Sequence, residues 1–84
     1  MTSNEAKKTN QLLTIGQAAQ KAGVSRQSLQ YYLMVGLLEP TLVTKAGWRK
    51  FDAAAIDRIR LIHKLNQSGY TLRAILEIFM EQQP

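Results

Sequence analysis

An alternation of helix-start and helix-stop signals is the feature that most constrains how this chain can fold. Short polar residues, whose side chains accept hydrogen bonds from the first turn of a helix, stand four times directly before a segment with helical spacing of its apolar residues. Glycines, which permit a left-handed exit, end three of these segments. The starts are Thr14, Ser25, Asp52 and Thr71, and the stops are Gly23, Gly36 and Gly69. We therefore predict four helices, which end near residues 22, 35, 69 and 82.

Residues next to these starts support the same prediction. Gln17 follows Thr14 at the spacing of a capping box, in which the two side chains satisfy free backbone N–H groups reciprocally. The other three starts lie within apolar pairs at the spacing of a hydrophobic staple. These pairs are Val24 with Leu29, Phe51 with Ile56, and Tyr70 with Ile75. Each predicted start therefore depends on more than one side chain.

The segment EPTLVTKAGWRKF, between the second and third helices, has a different pattern. β-Branched and aromatic residues flank TKAG, where Gly47 can adopt a positive φ, so we predict a small β-hairpin. Alternation places Trp48 and Lys50 on one face of its second strand. Arg49 and Phe51 share the other face, and we expect Phe51 to be buried while Arg49 reaches round the strand's edge. The predicted fold class is mainly α: a winged helix-turn-helix with four helices and a small β-hairpin wing between helices 2 and 3.

Charge is divided unevenly along the chain, whose net charge is +5. Residues 12–50 contain five basic residues and one acidic residue, whereas residues 51–84 contain four of each. A basic imbalance confined to one half predicts a surface that faces a polyanion there, with the other half as a scaffold. The alternative is a small basic domain with no polyanionic partner.

The composition excludes several classes of function. The chain has no cysteine, so it has no disulfide, no thiolate zinc site and no cysteine nucleophile. Its one histidine, His63, has neither a cysteine nor a paired carboxylate to form a metal or catalytic site, and no glycine-rich phosphate loop is present. We predict no enzyme, no cofactor, no metal and no small-molecule effector.

The distribution of apolar residues predicts one domain and no membrane segment. Residues 1–11 are polar, and no apolar run approaches the ~18 residues that span a bilayer. We predict a disordered polar tail over residues 1–11, a single domain over residues 12–84, and a cytoplasmic location.

The second helix has one polar face that suits base-pair recognition. At about 100° per residue, the side chains on this outward face belong to Arg26, Gln27, Gln30, Tyr31 and Met34. The inward face carries Leu29, Tyr32, Leu33 and Val35. Glutamine can pair bidentately with adenine and arginine with guanine, and a tyrosine hydroxyl can reach a phosphate. The alternative is an ordinary solvated helix face, because glutamine and arginine are good helix formers.

A basic hairpin directly after a helix-turn-helix is a wing, and its cations can lie along a phosphate backbone. We therefore predict double-stranded DNA as the partner and a nucleoid-associated location. Trp48 is either a DNA-facing residue or an aromatic packed on the hairpin or core. The predicted DNA-binding residues are Thr14, Ser25, Arg26, Gln27, Gln30, Tyr31, Lys45, Trp48, Arg49 and Lys50.

Four stretches together resemble the MerR family of bacterial transcriptional regulators. LLTIGQAAQKAGVS is similar to the family's opening, QYYLMVGLLEP to its Arg-Tyr-Tyr segment and Gly-Leu-Leu-x-Pro exit, GWRKF to its wing signature, and FDAAAIDRIRLIHKL to its third helix. The resemblance implies a winged-helix DNA-binding domain whose second helix enters the major groove and whose wing contacts the backbone. It implies Tyr31 and Arg49 as DNA contacts.

The chain departs from the family pattern at several positions. Gln30 stands where the family usually has arginine, and Leu33 where it usually has an acid. Leu42 and Val43 stand where the family's wing tends to carry arginine. A less basic wing releases fewer counterions, so we expect DNA binding with a weaker salt dependence.

Full-length members of the family continue into a dimerising coiled-coil helix and an effector-binding segment. This chain ends at EQQP, so it is either a minimal form without these segments or the DNA-binding piece of a longer regulator. Leu61, Ile78 and Met80 lie at the margins of the apolar stripes of helices 3 and 4. They are either the fringe of the core or a contact for a second copy or another protein.

Two further interpretations share this fold. A phage or plasmid excisionase uses a similar small winged domain to bend DNA. A protein-binding adaptor of the chaperone-modulator type resembles the chain in its Gly-Leu-Leu-Glu-Pro exit and Phe-Asp entry. The excess of basic residues on the recognition half favours DNA over the adaptor.

Overall fold

The computed structural model describes residues 12–82, and its elements follow the predicted order. Two helices come first, then a two-stranded hairpin, then two more helices. The elements are α1 (Ile15–Ala22), α2 (Arg26–Met34), β1 (Leu42–Val43), β2 (Arg49–Lys50), α3 (Ala53–Gln67) and α4 (Leu72–Glu81). The predicted fold class, a winged helix-turn-helix with four helices and a small hairpin, is confirmed. The predicted tail, residues 1–11, lies outside the described residues.

All four predicted caps form. Thr14 Oγ1 accepts a hydrogen bond from the Gln17 N–H at 3.2 Å, and Gln17 Oε1 accepts one from the Thr14 N–H at 3.0 Å, which completes the capping box. The remaining helices have the predicted N-caps, Ser25, Asp52 and Thr71. α2 ends at Met34, with Val35 as its C-cap. The predicted boundaries therefore hold to within about one or two residues, which is the usual uncertainty of helix ends.

The hairpin is short, and one threonine closes its turn. Leu42 pairs with Lys50 and Val43 with Arg49 in antiparallel register. The Thr44 carbonyl accepts from the Gly47 N–H at 2.9 Å, and the Thr44 N–H donates to the Trp48 carbonyl at 2.9 Å. Gly47 has φ 91°, as in a three-residue hairpin loop that ends in a left-handed residue.

A backbone bridge joins the hairpin to the start of α1. Leu13 and Phe51 exchange both N–H···O=C hydrogen bonds, each at 2.8 Å. The Phe51 side chain is fully buried, as predicted. Leu13 and Phe51 directly precede Thr14 and Asp52, the N-caps of α1 and α3. The bridge therefore fixes where the wing and two helices begin relative to one another.

The core lies between the four helices and the base of the wing. α2 contributes Leu29 and Tyr32, whose burial raises the pKa of the Tyr32 phenol above its ordinary value. The other buried apolar side chains are Ala18, Ala19, Ala22, Leu37, Leu38, Phe51, Ile56, Ile59, Ile62, Ile75 and Phe79. The predicted inward stripes of α3 and α4 supply five of these side chains, Ile56, Ile59, Ile62, Ile75 and Phe79.

Arg58 on α3 connects the exit of α2 to α4. Its Nε donates to the Leu37 carbonyl at 3.1 Å, and its guanidinium carbon lies 4.1 Å from the centroid of the Phe79 ring. Leu37 is fully buried and directly follows Gly36, where the chain leaves α2 with φ 86°. Arg58 therefore holds the end of α2 against the scaffold, a role that the sequence did not predict.

Replacing Arg58 with alanine should reduce the free energy of unfolding by about 1–2 kcal/mol, because a charged hydrogen bond to a buried carbonyl and a cation–π contact are both lost. Arg73→Ala is the matched control, since Arg73 makes only an exposed ion pair with Glu77 at 3.7 Å. That change should cost less than about 0.5 kcal/mol. Urea unfolding followed by circular dichroism measures both free energies. An equal loss of stability in the two variants would contradict the role of Arg58 in holding the end of α2.

Candidate nucleic-acid interface

A cleft lies between the start of α1, the outward side of α2 and the wing. Its volume is about 430 Å³. The residues that line this α2–wing cleft are Thr14, Ile15, Gly16, Arg26, Gln30, Gly47, Trp48 and Arg49. The fold thus brings five of the predicted DNA contacts, from three separate elements, around one concave surface. The remaining predicted contacts, Ser25, Gln27, Tyr31, Lys45 and Lys50, do not line it.

The outward face of α2 is exposed as the helical spacing predicts. We call it the reading face, and it consists of Arg26, Gln27, Gln30, Tyr31 and Met34. The two adjacent tyrosines point in different directions, because successive residues differ by about 100° around a helix. Tyr31 is 48% exposed, whereas Tyr32 is 3% exposed.

The wing presents both cations and apolar side chains. Lys45 and Arg49 are exposed, and Lys50 is half-buried. Trp48 is 67% exposed, so it is not a core aromatic. Its backbone is held in the turn, where the Trp48 N–H donates to Thr44 Oγ1 at 3.1 Å. The side chain is therefore presented to solvent by a defined backbone conformation.

Thr14 and Ser25 hold the helix starts at the edge of the site. Thr14 Oγ1 is the cap of α1 and also lines the α2–wing cleft. Ser25 Oγ accepts from the Ser28 N–H at 3.0 Å and donates to Ser28 Oγ at 2.9 Å. The capping bonds position both hydroxyl groups, and their contact with DNA stays a prediction.

The interface cations are not engaged by carboxylates within residues 12–82. The ion pairs of this part of the chain join Asp57 to Arg60 and Arg73 to Glu77, on α3 and α4. Lys21, which the sequence counted with the basic half, lines a different cleft with Asp52, Asp57 and Arg60. The basic charge of the site therefore comes from α2 and the wing, namely Arg26, Lys45, Arg49 and Lys50.

Gly16 is a site residue that the sequence analysis missed. It lies in the first turn of α1 and lines the α2–wing cleft. The position that a β-carbon would take on Gly16 lies 4.0 Å from Arg26 Nη1. The available signal was a glycine inside a helix, which is unfavourable there without a compensating reason.

The described residues hold no group of three or more histidine, cysteine, aspartate or glutamate side chains able to bind a metal. His63 is half-buried on α3. Within residues 12–82, no helix is long and apolar enough to cross a membrane.

Comparisons with known proteins match most of the chain. The model of the MerR helix-turn-helix family of regulatory proteins matches residues 13–82. The mercuric resistance operon regulatory protein of Bacillus cereus is 33% identical over 61 residues, which cover 73% of this chain and 46% of that protein. The transcriptional regulator MerD of Shigella flexneri is 35% identical over 65 residues, 77% of this chain and 54% of that protein. The chain therefore spans about half the length of these curated relatives. Both are regulators, which supports the prediction that the chain is not an enzyme.

Solved structures show the same fold. HiNmlR, a MerR-family regulator that lacks the sensor domain, was solved bound to promoter DNA. It matches 81% of this chain and 54% of its own, with a TM-score of 0.73 and 28% identity. The N-terminal part of Mta, the multidrug transporter activator of Bacillus subtilis, matches 84% of this chain and 65% of its own, with a TM-score of 0.72 and 32% identity.

Two glycines of the α2–wing cleft should respond oppositely to the same added methyl group. Gly47→Ala forces an L-residue into φ 91° and should lower the free energy of unfolding by more than about 1 kcal/mol. Gly16→Ala is the matched control, and it should raise that energy by about 0.4–1 kcal/mol because it stiffens the unfolded chain without backbone strain. Chemical denaturation measures both. A Gly47→Ala protein as stable as the wild type would refute the turn geometry.

Proposed function

The chain belongs to the MerR family of helix-turn-helix regulatory proteins, and on that premise we propose that it binds double-stranded DNA as a bacterial transcription regulator. α2 enters the major groove, and the wing lies on the phosphate backbone. The observation that carries this proposal is the α2–wing cleft, which gathers Arg26 and Gln30 from α2 with Trp48 and Arg49 from the wing.

The reading face supplies groups that discriminate between base pairs. Gln27 and Gln30 are exposed and can each make a bidentate pair with adenine. Tyr31, at the margin of this face, can place its hydroxyl on a phosphate. The amides read sequence, and the hydroxyl fixes the register of the helix on the duplex.

The wing supplies contacts that do not depend on sequence. Lys45 and Arg49 are exposed cations beside the cleft, and cations on phosphates release counterions. Leu42 and Val43, on the facing strand, are exposed and apolar. The wing therefore contributes few charges, so the affinity should depend on salt less steeply than in a regulator with an arginine-rich wing.

The same interface would serve an excisionase-like protein that bends DNA as part of a recombination complex. Both DNA-binding roles place the protein in the cytoplasm, on the nucleoid. They use the same side chains and differ in what the bound DNA does next.

A second candidate function, a protein-binding adaptor, is favoured by one specific observation. Five of the exposed large apolar side chains lie on α2 and the wing: Tyr31, Met34, Leu42, Val43 and Trp48. Exposed apolar clusters commonly mark protein contacts. The cations interspersed among them favour DNA, because positive charge gathered on one face attracts a polyanion.

α3 and α4 offer a separate surface for a second copy or a protein partner. Leu61 and Met80 are exposed, and Ile78 is half-buried against the core. DNA-binding domains of this kind commonly act in pairs on two half-sites. Sedimentation at tens of micromolar should show self-association that Leu61→Lys abolishes, and a monomer at all concentrations would exclude the homodimer.

Two substitutions should separate backbone contacts from base contacts. Arg49→Ala should weaken binding to all duplexes about equally and reduce the slope of log affinity against log salt by about 1, because one phosphate contact is lost. Gln27→Ala should change sequence preference, at about 1–3 kcal/mol for a lost bidentate pair. Fluorescence anisotropy of labelled duplexes at several salt concentrations measures both effects.

Lys64→Ala is the control for this experiment, since it removes one positive charge from α3 rather than from the wing. It should leave both affinity and slope close to those of the wild type. Trp48, the one tryptophan of the chain, gives an independent optical signal from inside the interface. Unchanged DNA affinity in both Arg49→Ala and Gln27→Ala would show that the assigned surface is wrong.

A further inference from the structure

The side chains of the reading face carry an unusual set of chemical groups for a surface that recognises base pairs. In the major groove, cytosine offers a donor that suits a carboxylate, guanine offers acceptors that suit arginine or lysine, adenine suits glutamine, and thymine offers a methyl group. α2 contains no carboxylate, a single cation at its first position, and an apolar side chain at its last. The available groups therefore match A·T pairs better than G·C pairs.

The single arginine of α2 lies to one side of the reading face. With Arg26 at 0°, helical geometry places Gln30 at about 40°, Met34 at about 80°, Gln27 at about 100° and Tyr31 at about 140°. Arg26 and Gln30 line the α2–wing cleft, so that margin faces the wing and the phosphates it contacts. Met34 lies nearest the centre of the face, and Gln27 lies beside it on the side away from the wing.

Met34 is the most exposed large apolar side chain within residues 12–82, at 73%. Met34 is not part of the core. The apolar residues of α2 that belong to the core or pack against it are on the other face, for example Leu29 and Leu33. α2 has nine residues and is therefore about 13 Å long, so it covers about four base pairs, at ~3.4 Å each, when it lies along the major groove. A helix of this length can bring its last residue as well as its first over the base edges.

We propose that α2 selects A·T base pairs, with Gln27 paired to adenine and Met34 packed against the C5-methyl group of a thymine. The inference rests on the proposed function, since its ligand is the same double-stranded DNA. A flexible thioether side chain suits this contact, because it can adapt its shape to a methyl group. Burying one methyl group corresponds to about fourfold in affinity, from ~0.8 kcal/mol per CH₂.

The test begins with selection of binding sites from a randomised duplex library by the wild-type protein. In the selected duplex, each thymine is then replaced singly by uracil, which removes the methyl group and keeps the pairing. We expect A·T pairs in the selected site and one position at which uracil weakens binding about fourfold. Met34→Ala should lose the discrimination between thymine and uracil at that position.

Gln67→Ala is the matched control, because Gln67, like Met34, is the exposed last residue of its helix, but it lies on α3 and outside the surfaces assigned to DNA or to a partner. That protein should discriminate between thymine and uracil as the wild type does. Circular dichroism checks that Met34→Ala is folded, as expected for a change from an exposed methionine to a strong helix former.

The outcomes separate this inference from the proposed function. Two results would overturn the inference and leave DNA binding intact. One is salt-sensitive binding that no thymine-to-uracil change weakens, and the other is a Met34→Ala protein that still discriminates between thymine and uracil. A selected site without A·T pairs does the same. Failure of the wild type to bind any duplex at low salt removes the proposed function and the inference with it.

Discussion

The backbone bridge between Leu13 and Phe51 is the constraint on which the rest of this structure depends. Each residue donates to and accepts from the other at 2.8 Å, and each directly precedes the N-cap of a helix. The buried Phe51 ring ties the bridge to the core. The Asp52 N–H next to it donates to Thr41 Oγ1 at 3.0 Å, which holds the other strand of the wing. Because the wing is fixed to the start of α1, the α2–wing cleft has walls of defined position.

α2 is held at both ends by contacts that leave its outward face free. At its start, Ser25 caps the helix, and the Val24 N–H donates to the Ala19 carbonyl at 3.0 Å. At its end, the Leu37 N–H donates to the Tyr32 carbonyl at 3.0 Å, while Arg58 binds the Leu37 carbonyl. A helix fixed in this way loses little conformational entropy if its outward face binds a partner. The core therefore holds α2 in a fixed orientation, while the side chains of the reading face remain exposed to solvent.

Local signals explain which parts of this structure the sequence predicts. The capping box of Thr14 and Gln17 lies within one turn, so residue order alone specifies it. The different directions of Tyr31 and Tyr32 follow from helical spacing, and these predictions are confirmed. The hairpin pattern directly after α2 predicted a wing, and the family resemblance implied the same arrangement.

Contacts between residues far apart in sequence are the part that could not be predicted. The Leu13–Phe51 bridge and the Arg58 connection need three-dimensional positions, because their partners carry no distinctive local pattern. Trp48 had two open interpretations for the same reason: its exposure depends on how far the turn projects from the core. The place of Gly16 under Arg26 likewise appears only once α1 and α2 are packed.

The positive charges of the chain fall into two groups, and this division limits how many of them are available for the proposed DNA binding. Arg58 and Arg60 donate to backbone carbonyls of other elements, at 3.1 Å in each case, and so stabilise the scaffold. The cations of α2 and the wing face solvent without carboxylate partners among residues 12–82. Only a few charges thus remain for phosphates, and each contributes a modest, salt-dependent term. Under the proposed function, contacts to base edges and apolar packing then supply a larger share of the affinity, and the exposed Met34 and Trp48 are the side chains of this surface suited to such packing.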